Sequence, residues 1–291
     1  MNFDKSTFTW GYEIEWGDVD RRLTIPAELG KWEYSETDIV NMHEPYKYRA
    51  CDPLGLEPPF GGEINVMPTK TKEELLARVK AIHDWFVEQG NQPTPSFLSH
   101  IHVHVHVPGL TKDIDALKRL VSYIKNNQHE TIYHAHAFRE HPLMKDGKGA
   151  KTYLKWDGGR PMPDYMCDNI VKLATDFDHF IKLHAAGKDG VSMGRPFRYA
   201  INTYCLKHTG TVEFRLFRNT LDWDKIADIL KFVEEFLDGA LNTNKQVSEI
   251  LAEYDYKFPE LEYDHAAWVG WEKSKYDKSR GKKQREFHEV G

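Results

Sequence analysis

The chain has 291 residues and a net charge of −6, and its 8 Trp, 14 Tyr and 15 Phe supply enough bulky apolar volume for a sizeable core. That charge balance gives no general pull toward nucleic acid, and no run approaches the roughly 18 apolar residues of a membrane helix. Three scattered cysteines, Cys51, Cys167 and Cys205, exclude a disulfide framework, and the opening "MNFDKSTFTW" lacks the layout of an export signal, so a cytoplasmic protein is expected.

In "TFTWGYEIEW", Phe8, Trp10, Tyr12, Ile14 and Trp16 alternate with polar residues and glycine, which predicts a strand with one buried face. After the Pro- and Gly-rich "CDPLGLEPPFGG", "EINVM" predicts a second short strand. Leu75, Leu76, Val79, Ile82 and Phe86 recur at helical spacing between Lys72 and Gln89, and Gly90 ends the pattern. "HIHVHVH" is a third strand, with His100, His102, His104 and His106 on one side. A helix is predicted from about Lys112 to Asn127, followed by a further helical stretch in "HETIYHAHAF". Residues 141–165, rich in Gly, Pro and Lys, read as a long loop or small hairpin, and a helix follows near Asp168 to His184. "PFRYAINTYCL" and "GTVEFRLF" predict an antiparallel strand pair around a turn at Thr209 and Gly210. Helices near Trp223–Leu241 and Val247–Tyr254 complete a single catalytic-type domain over 1–255. Residues 256–291 form a polar extension in which seven Lys and Arg face one Asp between Lys273 and Arg285, a solvated tail and the one segment suited to nucleic acid.

Period 2 decides which residues share the face opposite the apolar one. That face collects Glu13 and Glu15 from the first strand, Glu63 and Asn65 from the second, and the histidines from the third. The fourth adds Arg198 and Asn202, and the fifth adds Glu213 and Arg215. Amphipathic helices can cover only the other side, which predicts an α+β fold with an antiparallel sheet and one open polar face. Carboxylates gathered together need a cation among them, and arginines beside them suit an anionic guest. The four histidines span about 20 Å, too far for all to hold one ion.

"GYEIE" at 11–15, "HIHVHV", "RYAIN" at 198–202 and "TVEFRLF" at 211–217 resemble, in order and separation, the motifs of the amidoligase family. That family groups with glutamine synthetase and gamma-glutamylcysteine ligase among carboxylate-amine ligases. The resemblance covers residues 7–240 and implies a glutamine synthetase-like sheet holding ATP and Mg2+, as two ions. It further implies that Glu13, Glu15 and Glu213 bind metal, that Glu63 contacts metal or the substrate amine, that His102 contacts substrate or metal-bound phosphate, and that His104 contacts nucleotide. Arg198 and Asn202 are then expected to hold phosphate and substrate, and Arg215 to stabilise the transferring phosphoryl group or the substrate carboxylate. The implied reaction is ATP-dependent amide formation through an acyl phosphate, from a small-molecule or peptide carboxylate and an amine. Two departures stand out: His100 occupies a position where glycine is usual, and Asp52 in "CDPLG" is not followed by the family's Gly-Ser.

Two other readings use the same residues. A zinc or iron hydrolase or oxygenase would take ligands from the HxH strand with Glu63 or Glu213, which explains the histidines better and the arginines worse. A non-catalytic binding protein would keep the fold and tolerate loss of Glu13 or Arg215.

Overall fold

A computed structural model describes residues 2–20, 22–32, 60–93, 100–137, 161–185 and 199–254, all within a compact unit over Met1–Asp255. Six strands make one antiparallel sheet in the order β2-β3-β1-β4-β6-β5. They are β1 (Thr9–Asp20), β2 (Gly30–Trp32), β3 (Phe60–Thr69), β4 (His100–His106), β5 (Ile201–Asn202) and β6 (Val212–Arg218). The antiparallel α+β class expected from alternation is present, and β2 is an edge strand that was not predicted. Its three residues are too few for a period to register.

One face of the sheet is apolar. Trp10, Tyr12, Ile14 and Trp16 of β1, Ile64 and Val66 of β3, Ile101, Val103 and Val105 of β4, and Val212 and Phe214 of β6 are all buried. Helix α1 (Lys72–Glu88) packs on β1 and β3, and α2 (Ile114–Ala137) packs on β6. Helix α5 (Trp223–Asp238) lies against α1 and sets Phe236 edge-on to Phe214 and Phe232 edge-on to Phe217. Each start is capped as its sequence requires: Thr71 Oγ1 accepts from the Glu74 N–H, and an Asp222 carboxylate oxygen accepts from the Lys225 N–H. Burying these stripes at about 25 cal/mol per Å2 is what holds the layers together.

Two of the three register shifts among the described strands bear on the site's face. Opposite Gly11, β3 inserts Met67 and Pro68, a place where a residue without an N–H costs no ladder bond. Opposite His102, β6 inserts two residues, Arg215 and Leu216. The extra residue returns Phe217 to the apolar side facing Ile101 while Arg215 stays beside Glu213.

Three predicted elements are corrected. The helix expected at Lys112–Asn127 and the stretch after it are one helix, α2. The helix expected from Asp168 to His184 is two, α3 (Asp164–Leu173) and α4 (Phe177–His184). Asp176 ends the continuity by turning its carboxylate back to the His179 N–H at 2.8 Å, which starts a new helix and leaves Leu173 exposed. Of the strand expected across "PFRYAINTYCL", the described residues from 199 on hold only β5, because Asn202 Oδ1 accepts from the Tyr204 N–H and opens a 3-10 turn, Thr203–Lys207. The loop expected at 141–165 lies outside the described residues up to 160, and its last two residues belong to α3.

At the end of α4, His184 is buried between the Phe180 carbonyl, 2.9 Å from Nδ1, and Thr203 Oγ1, 2.6 Å from Nε2. Those contacts suit a neutral ring that donates from Nδ1 and accepts at Nε2. Burial pulls its pKa from 6.5 down to about 4, so the unfolded chain takes up this proton first. Stability is therefore fully present above pH 6.5 and is expected to fall by about 1.4 kcal/mol per pH unit on acidification through that window, about 3 kcal/mol in all. Urea melts at pH 7, 5.5 and 4 check this; His184→Gln must flatten the slope, and an unchanged slope would refute the assignment.

Candidate functional site

The face not covered by these helices carries the ionisable side chains. Register brings them together: Glu13 stands opposite His102 across β1 and β4, and His104 opposite Glu213 across β4 and β6. Glu213 is also paired with Asn202 across β5 and β6. Glu63 is opposite Glu15 and one step diagonal from Glu13, a neighbour relation long side chains can bridge. Gly11 lies opposite His104, and a Cβ there would sit 3.3 Å from the histidine Cβ, so the glycine of "GYEIE" leaves room for that ring.

His102 occupies the centre. Its Nδ1 is 2.7 Å from Glu13 Oε2 and 3.9 Å from both Glu63 Oε1 and Glu213 Oε1. His104 Nε2 is 3.1 Å from Glu13 Oε1 and 3.8 Å from Glu213 Oε1, near enough for ion pairing but outside hydrogen-bond alignment. Arg215 donates from its guanidinium to Glu213 Oε1. The other Glu213 oxygen accepts from Asn202 Nδ2 at 2.8 Å and from the Cys205 thiol at 2.9 Å.

Most of this is buried: Glu213 is 2% exposed, His102 3%, Arg215 6% and His104 9%. Burial by itself pushes Glu213 up, but Arg215 and then His102 and His104 outweigh it and keep the carboxylate ionised. Burial also works against Glu13, and the contacts with His102 and His104 hold it below the usual carboxylate range. His104 moves the other way: desolvation lowers its pKa and Glu13 more than restores it. Burial and then the Glu213 charge push the Cys205 thiol up, which makes it a hydrogen-bond donor and a poor nucleophile.

Three carboxylates, Glu13, Glu63 and Glu213, therefore converge on one guanidinium and two imidazoles. Two groups within this set offer ligand atoms all within 4.8 Å of one another: Glu13, Glu63 and His102, and Glu13, His104 and Glu213. Glu13 belongs to both. The donor set, two carboxylates and one imidazole per group, fits a divalent cation, and a shared carboxylate fits a pair of them. Arg215 Nε is buried and makes no hydrogen bond among the described residues, a donor left for an anionic group.

Of the residues singled out in the sequence, Glu13, Glu63, His102, His104, Glu213 and Arg215 meet here. Glu15 shares the face but enters neither ligand group; its carbonyl accepts from Asn219 Nδ2. Asn202 spends its side chain on Glu213 and on the Tyr204 N–H. His106 is exposed and donates from Nδ1 to the Gly210 carbonyl. Arg198 and Asp52 lie outside the described residues, as does the extension at 256–291. Cys205, Thr211, whose Oγ1 lies 2.9 Å from His104 Nδ1, and Asn219 were not anticipated, since an isolated thiol, threonine or asparagine carries no spacing signal.

Compared with protein-family models, curated proteins and solved structures, the chain matches none. Among the described residues no helix is long and apolar enough to cross a membrane.

Proposed function

We propose that the chain is an ATP-dependent carboxylate-amine ligase with a glutamine synthetase-like sheet, working in the cytoplasm. One observation carries the reading: Glu13, Glu63, His102, His104, Glu213 and Arg215 reach one buried cluster from four different strands. A structural sheet face has no reason to draw three carboxylates together and bury one of them, whereas a site for phosphate-bound cations does. In such a ligase the γ-phosphoryl group of ATP passes to a substrate carboxylate, and an amine then displaces phosphate from the acyl phosphate. Glu13, Glu63 and Glu213 would hold the divalent ions, Mg2+ on the sequence reading. His102, donating from Nδ1 to Glu13, would act on the ions by orienting that carboxylate, common to both ligand groups, and not as a ligand through the same nitrogen. Arg215, pinned by Glu213, sets a fixed positive charge where negative charge develops, which saves reorganisation during the reaction. No protein nucleophile is required, in keeping with a Cys205 held as thiol.

The test is a thermal melt with ATP and Mg2+, followed by an ADP-release screen over pooled carboxylic acids and amines with products weighed for loss of water. Ligand at a hundredfold excess over its Kd is expected to add about 2.7 kcal/mol of stability. The imidazole in each ligand group favours a second reading, a zinc or iron hydrolase. That protein would purify with stoichiometric metal and ignore ATP, which is the result that overturns the ligase.

A further inference from the structure

Building on the cation reading of this cluster, we propose that a hydroxyl relay through Thr209 and Thr211 fixes the tautomer of His104. Its Nε2 then serves as a nitrogen ligand beside Glu13 and Glu213, and this position selects Mn2+ or Zn2+ over Mg2+.

The relay follows from counting protons. Thr209 Oγ1 lies 3.0 Å from the Cys205 carbonyl, which can only accept, so the single Thr209 proton is given there. Thr209 Oγ1 is also 2.6 Å from Thr211 Oγ1, and having no second proton it must accept in that contact. Thr211 has thus used its own proton and can only accept from His104 Nδ1, 2.9 Å away. His104 consequently carries its hydrogen on Nδ1. The same turn orients the next ring of the strand, since His106 Nδ1 faces the Gly210 carbonyl at 2.9 Å.

The other nitrogen is the one that faces the carboxylates. His104 Nε2 is buried, has no aligned hydrogen-bond partner among the described residues, and lies 3.1 Å from Glu13 Oε1 and 3.8 Å from Glu213 Oε1. One divalent ion among the three atoms would bond each of them in place of the ion pairs they make without it, and ligand atoms within 4.8 Å of one another suit metal bonds of about 2.0–2.2 Å. Imidazole is a good ligand for zinc and its transition-metal neighbours, whereas Mg2+ keeps to oxygen and sheds water reluctantly. A histidine whose far nitrogen is held by a hydrogen-bond acceptor is how proteins orient a ring for such an ion.

The experiment is cation titration of the full chain, read as thermal shift, with Mn2+, Zn2+ and Mg2+ in turn. Wild-type protein is expected to bind Mn2+ and Zn2+ at least about 10-fold tighter than Mg2+. Thr211→Val, which keeps the shape and removes the acceptor, is expected to weaken Mn2+ and Zn2+ by about 10–100-fold while leaving the cation-free melting temperature and the Mg2+ response close to wild type. Thr211→Ser keeps the hydroxyl and is expected to restore binding. Long-range 1H–15N spectra with saturating Zn2+ should show His104 protonated on Nδ1 alone. Wild-type-like Mn2+ affinity in Thr211→Val, or a proton on Nε2 in the zinc-loaded protein, overturns the relay. Preference for Mg2+ overturns the selectivity. No stabilisation of wild type by any of the three ions overturns the cation reading itself, a different failure from either.

Discussion

Replacing Arg215 with methionine is expected to destabilise the fold by about 3–5 kcal/mol, the cost of leaving a buried carboxylate without its partner. Glu213 is 2% exposed and its oxygens are already committed to Arg215, Asn202 and Cys205, so it cannot turn to water when the guanidinium is gone. Methionine roughly preserves the aliphatic volume, which separates the electrostatic loss from a cavity. For a domain of this size the melting temperature should drop by about 10 °C. The second variant decides the cause. In Glu213→Gln/Arg215→Met no net charge is buried at this pair, so the double mutant should recover much of the loss. A double mutant as unstable as Arg215→Met alone would mean that packing, not charge, holds this end of β6. Wild-type stability in Arg215→Met would mean that Arg215 and Glu213 are not a desolvated pair.

The sheet was legible because its strands alternate without exception where they matter: Trp10, Tyr12, Ile14 and Trp16 against Glu13 and Glu15, and Ile101, Val103 and Val105 against the histidines. Period 2 identifies a face, and Glu13, Glu63, His102, His104, Glu213 and Arg215 lie together on it. It does not identify register. Glu13 and Glu15 look alike in the sequence, yet His102 lies opposite Glu13 while Glu15 lies opposite Glu63, so only one of them joins both ligand groups. That choice is made by the pairing of β1 with β4, strands separated by some 80 residues. The same limit applied to Asn202. The resemblance implied that it holds phosphate and substrate with Arg198, whereas pairing of β5 with β6 sets it against Glu213. The bulge at Arg215 and Leu216 was hidden too, because the run Val212–Phe217 reads as simple alternation until Phe217 resumes the apolar side one residue late. The division of α3 from α4 was a matter of competing local signals. An apolar spacing across Leu173 and Phe177 suggested continuity, and the Asp176 cap prevailed because it satisfies a backbone donor that a continued helix would have bonded elsewhere.

Glu13→Gln is expected to remove the cation response altogether, whereas Glu63→Gln and Glu213→Gln should each leave part of it. Glu13 is the residue common to both ligand groups, and its two oxygens are divided between His102 at 2.7 Å and His104 at 3.1 Å. An amide keeps the shape and one acceptor oxygen, but it carries no charge to balance a divalent ion or an imidazolium. Apparent affinity for Mn2+ should fall at least about 100-fold, beyond the 10–100-fold typical of losing a residue that only supports a ligand. If the ligase reading holds, turnover should fall by about 100–1,000-fold as well, the usual cost of losing one group that stabilises transition-state charge. A pH series adds a signature that lost packing would not mimic. Burial opposes the Glu13 charge and the two histidines outweigh it, so the folded pKa is depressed. Its stabilisation is present above the unfolded value of about 4.3 and is lost as pH falls below it toward the folded pKa. Urea melts of Glu13→Gln should therefore differ most from wild type at neutral pH and converge with it in acid. A constant offset at every pH would make Glu13 a packing residue, and a Mn2+ titration indistinguishable from wild type would remove it from the cation site.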